Sequence, residues 1–101
     1  MSKEIHTYLG VASARGGNSQ NYQSGERHAF NLFLPQAIGS ETSWDKAEEA
    51  VRNENWTDVE FRKTGVLSQE SVQSTGEPFI SMYESAMNHG PALLIYKDQE
   101  S

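Results

Sequence analysis

Between Glu4 and Ala14 the side chains alternate, with Ile5, Thr7, Leu9 and Val11 set against His6, Tyr8, Gly10 and Ala12. A two-residue period is that of a β-strand, so this stretch predicts a first strand with one face on a core. Arg15 to Gly25 is then polar and rich in glycine, a composition that favours turns over ladders. A second strand is predicted over residues 28–34, ended by Pro35, which has no amide hydrogen to give to a ladder.

Trp44, Ala47, Ala50 and Val51 recur at helical spacing behind the hydroxyls of Ser40, Thr42 and Ser43, which predicts a helix over about 43–54. Asp45 falls in its first turn, where a carboxylate suits the positive end of the helix dipole, and Glu48, Glu49 and Arg52 fall on its outer face. Trp56 to Leu67 alternates again and predicts a third strand, with Val59, Phe61 and Lys63 on one face and Glu60, Arg62 and Thr64 on the other. Ser68 to Gly76 is polar, with room for one helical turn. Phe79, Met82, Tyr83 and Ala86 then form one helical stripe that stops at His89-Gly90-Pro91. Ala92 to Tyr96 is apolar on both faces, as in a central buried strand.

The order strand, strand, helix, strand, helix, strand predicts an α+β fold. The expected form is a two-layer sandwich: a four-stranded mixed sheet, two right-handed crossovers, and two helices on one face. His6, Tyr8 and Arg62 would make the other face polar enough to stay open, and such an open face also allows a homodimer.

Composition adds limits to this picture. A chain of 101 residues supports one hydrophobic core, hence a single domain over 1–101. With 36% hydrophobic and 22% charged residues it has the balance of a folded globular protein. The absence of cysteine removes disulfides, thiolate metal sites and thiol nucleophiles, and fits a reducing compartment. The first residues lack the apolar core of a signal peptide and no long apolar run follows, so the expected location is the cytoplasm, off the membrane. A net charge of -6 argues against nucleic acid as a partner, because affinity for phosphate rests on Lys and Arg.

Candidate chemistry is sparse. No serine sits in Gly-x-Ser-x-Gly or Ser-x-x-Lys, and the adjacent Glu48 and Glu49 diverge by about 100° on a helix, so no residue takes a catalytic role. His6, His28 and His89 have no metal-ligand spacing, and no motif calls for a cofactor. Gly16 and Gly17 follow a strand but lack the helix of a phosphate-binding loop.

Two sites remain as expectations. Residues 41–60 hold seven acids against Lys46 and Arg52, and Glu41, Asp45, Glu48 and Glu49 on and before the first helix form a docking surface for a basic protein partner. A non-enzymatic interaction module of this kind has the character of small domains that inhibit or neutralise a basic enzyme or toxin. The alternative is an anion- or small-ligand-binding protein, or an enzyme, that uses the loop from Arg15 to His28. If the first two strands form a hairpin centred near Gln20, residue 13 faces 28 and His6 faces Pro35. Arg15, Arg27 and His28 would then gather at the loop's neck, with Tyr22 able to close over a ligand.

Overall fold

A computed structural model describes residues 3–18 and 21–99 and the side chains of all of these except 98 and 99, so Gln20 at the expected hairpin centre lies outside the described residues. The chain runs β1 (Lys3–Ala14), β2 (Arg27–Ala37), α1 (Trp44–Arg52), β3 (Trp56–Leu67), α2 (Gln69–Thr75), α3 (Phe79–His89) and β4 (Ala92–Gln99). The fold is α+β, with four strands as the alternation predicts and one helix more than expected. No described helix is long and apolar enough to cross a membrane.

The sheet has the order β3-β1-β2-β4, and each neighbouring pair is antiparallel, so it is not the mixed sheet the strand–helix–strand order suggested. The physical reason is that β1 lies between β2 and β3. The α1 connection steps over β1, so β2 and β3 run in the same direction without ever touching. β4 is an edge strand rather than a central one. Its apolar character on both faces is explained by packing: Leu93 and Ile95 join one core and Ala92 and Leu94 the other.

Those two cores lie on opposite faces of the sheet. Tyr8, Ala12 and Ala14 of β1 meet Phe30, Leu32 and Leu34 of β2 on the face that α1 covers with Ala47 and Val51. Ile5 and Phe33 project from the other face, against Ala86 of α3 flanked by Phe79, Met82 and Tyr83. The helices therefore do not share one face. Tyr8 and His6, expected to keep an open face polar, are 0% and 3% exposed.

The helical stripe read from the sequence is the surface α3 buries. In β3 the predicted alternation breaks, because the register with β1 shifts between Leu9 and Gly10, and again between Val11 and Ser13 where Asp58 takes φ 50°. The first shift makes Arg62 the extra residue of the bulge and turns Lys63 to the face opposite Phe61. Gly10 is required at that bulge, since a Cβ there would collide with the Glu60 carbonyl. β2 continues past Pro35 because its pairing with β4 ends at Phe33–Ala92, leaving one flank of β2 free where the amide hydrogen is missing.

Candidate functional site

α1 is seated by an aromatic corner and one hydroxyl. Trp44 packs edge-on to Tyr8 with ring centroids 5.5 Å apart, and Phe61 closes the corner at 5.2 Å from Trp44 and 5.9 Å from Tyr8. The buried Tyr8 hydroxyl donates to Gln36 Oε1 at 2.7 Å and accepts from the Ser43 amide at 2.9 Å. Ser43 is the N-cap residue and its hydroxyl makes no capping bond; the Tyr8 hydroxyl instead ties the Ser43 amide, at the entry to the helix, to β1.

Seated this way, the helix lies towards β3 and leaves the β2–β4 side of its face partly open. There a groove of about 490 Å³ runs between helix and sheet. Leu32, Leu34 and Leu93 form its apolar floor beside Pro91, and the α1 side supplies Ala50 with Lys46, Glu49 and Glu54 as charged neighbours.

The four predicted acids are not equivalent. Glu49 lines the groove, and Asp45 lies one helical turn before it on the same stripe. Glu41, Asp45 and Glu49 are exposed and form no ion pair with a described residue. Glu48 is half-buried and held 2.7 Å from Arg52 Nε, four residues on, so its charge is already matched. Asp45 and Glu49 therefore offer unmatched negative charge on the helix stripe that reaches the apolar trough, and Glu41 lies before the helix.

The second predicted cluster does not assemble. The hairpin register places Ser13 opposite Arg27 and Ala12 opposite His28, one residue from the spacing read in the sequence, and His6 faces Leu34. Adjacent strand residues point to opposite faces, so Arg27 and His28 diverge. Arg27 donates through Nη1 to Ser13 Oγ and to the Asp58 carbonyl, both at 3.0 Å. His28 is 1% exposed in the α1-side core, with Nδ1 2.9 Å from the Tyr96 carbonyl and Nε2 3.0 Å from Glu26. Arg15 is exposed beyond the end of β1.

Tyr22 is committed as well. Its ring lies 4.0 Å from that of His28, tilted by 30°, and edge-on to Trp56 at 6.0 Å. The loop is held by Asn18, which stands in the sequence as one of the polar, turn-favouring residues between Arg15 and Gly25. Its side chain is 4% exposed, donates to the carbonyls of Arg15 and Tyr22 at 2.7 and 2.8 Å, and accepts from the Tyr22 amide at 3.0 Å. Asn at a turn is a known signal for such bonds, and the signal stands in the sequence as Asn18, four residues before Tyr22.

No group of three or more metal-ligating side chains comes together among the described residues. Comparison with protein-family models, with curated proteins and with solved structures gave no match for this chain.

Proposed function

We propose that this chain is a non-enzymatic interaction module that docks a basic protein partner on the α1 side of its sheet. The observation that carries the reading is the groove itself: a floor of Leu32, Leu34 and Leu93 beside a helix whose Asp45 and Glu49 are exposed and unmatched. An apolar trough takes anchor side chains, and a rim where Glu49 and Glu54 outnumber Lys46 favours the approach of a basic partner. The matching segment carries two or three apolar residues flanked by Lys or Arg. Inhibition of a basic enzyme or toxin is one use such a surface would serve.

Selection of random displayed peptides on the wild-type chain tests this, with E41K/D45K/E49K as the counter-selection bait. The enriched peptides are expected to be basic and amphipathic and to be lost on the charge-reversed bait. Peptides of no shared character, or equal enrichment on both baits, would refute the docking surface.

A further inference from the structure

The two edges of the sheet are built differently. β3, at one edge, shifts its register with β1 twice and exposes Asp58, Glu60, Arg62 and Lys63. Bulges and charges of this kind keep a second chain from pairing with an edge strand. β4, at the other edge, has neither device where it pairs with β2. Ala92, Leu93, Leu94 and Ile95 face Phe33, Leu32, Asn31 and Phe30 without a break, and the register shifts only beyond that run. No charged residue and no proline interrupts residues 92–96.

Alternate residues of an antiparallel strand turn N–H and C=O to the same flank, so every second residue of 92–95 holds these groups away from β2. Among the described residues, no main-chain bond joins residues 92–97 to any segment but β2; the Tyr96 carbonyl lies 2.9 Å from His28 Nδ1, again on β2. This open flank borders the α1 groove. Leu93 is both an edge residue and part of the groove floor, and Pro91, just before β4, lines the groove as well. A strand added here runs about 4.8 Å from β4 and turns every second side chain to the α1 face, beside Leu93 and Ile95.

A second copy of this chain does not suit the flank. Pairing β4 with β4 about a two-fold axis sets both α1 helices on one face, and brings together the Glu49 and Glu54 rims of two chains that each carry a net charge of -6. We propose that the partner is a basic segment that binds as an added β-strand on the outer flank of β4 over residues 92–95, with alternate apolar side chains turned into the groove and Lys or Arg on the same face meeting its acidic rim. This rests on the docking reading above and fixes the form of the partner as extended. A helix bonds its main-chain groups internally and leaves the flank bare.

The probe is the capped peptide Lys-Thr-Leu-Thr-Leu-Thr-Lys, whose extended backbone puts both leucines and both lysines on one side. Two further forms are N-methylated, one on both leucines and the other on two threonines. An added strand turns only one of these sets of amides towards β4. One methylated form should therefore bind about tenfold or more weakly than the parent, and the other should match it. With the parent bound, alternate amides among residues 92–96 should exchange more slowly than in the free chain. Equal affinity of both methylated forms and unchanged exchange at β4 would overturn strand addition alone, while weaker binding of the parent to E41K/D45K/E49K would still uphold the docking surface. A parent peptide that fails to bind at millimolar concentration, or binds the charge-reversed chain equally well, would remove the docking surface and strand addition with it. A dimer formed without peptide, its β4 amides already protected, would give the edge to a second copy and overturn the proposal.

Discussion

Tyr8→Phe removes one oxygen atom and tests how α1 is held. That oxygen is fully buried and makes two hydrogen bonds, one to Gln36 Oε1 at 2.7 Å and one from the Ser43 amide at 2.9 Å. The ring's contacts to Trp44 and Phe61 survive the change, so the packing term cancels. A typical internal hydrogen bond contributes about 1 kcal/mol net, and an orphaned buried partner costs about 1–3 kcal/mol. Gln36 and Ser43 are half-buried and recover part of the loss through water, which leaves about 1–2 kcal/mol. At roughly 4–8 °C per kcal/mol for a domain near this size, Tm should fall by about 4–16 °C. Exchange of the amides in the first turn of α1 should accelerate more than that in β1. A Tm within about 2 °C of wild type, with unchanged exchange at α1, would show that the aromatic corner alone seats the helix and that the hydroxyl does not.

Other perturbations bear on the frame around the site. Gly10→Ala drives a Cβ into the Glu60 carbonyl and to 3.0 Å from Phe61 Cα, both main-chain atoms that cannot swing aside. Overpacking of this kind costs about 1–3 kcal/mol or more, visible as a lower urea midpoint, and a change under about 0.5 kcal/mol would contradict the tight approach of β1 to β3. Asn18→Ala removes at least the three hydrogen bonds to Arg15 and Tyr22 from a 4% exposed residue and should cost about 1–3 kcal/mol while freeing the Tyr22 ring from His28. An unchanged chemical shift for the His28 ring would refute that coupling. Glu77 accepts from the Ser81 hydroxyl at 2.7 Å and from the Ser81 amide at 2.9 Å, and these bonds hold its carboxyl below the usual value. A depressed carboxyl adds stability above its ordinary value and loses it as pH falls through the lowered one. Ser81→Ala should move the Glu77 titration, followed by carboxyl carbon shifts, back towards the ordinary range, and an unmoved titration would dismiss the hydroxyl as the main cause.

The strands and the two longer helices were legible because each repeats its apolar residues at the period of its element. Residues 56–67 are β3 as the alternation predicts, and Phe79, Met82, Tyr83 and Ala86 are the buried stripe of α3. α2 was not legible as a helix: seven residues with one buried side chain, Val72, give no period to read. Its Ser68 cap, which accepts from the Ser71 amide at 3.1 Å, was the local sign. Sheet order was hidden because a strand–helix–strand order does not say whether the crossover lands beside its start or one strand beyond, and that choice made the sheet antiparallel and put the helices on opposite faces. The acidic character of α1 was plain in the sequence, but the groove beside it depends on where the helix is seated on the sheet, and its first residue, Trp44, is seated by Tyr8 and Phe61 from two different strands.

The docking surface is tested most directly by titrating the isotope-labelled chain with one short peptide of alternating Leu and Lys and following the groove by NMR. Saturable shifts should centre on Leu34, Ala50 and Leu93, and affinity should fall as salt rises. Exposed charge pairs contribute about 0.2–1 kcal/mol each, so reversing Glu41, Asp45 and Glu49 together should weaken binding by about tenfold or more. Shifts that centre elsewhere on the surface, or an affinity that survives all three reversals, would contradict the assignment of the α1 groove as the docking site.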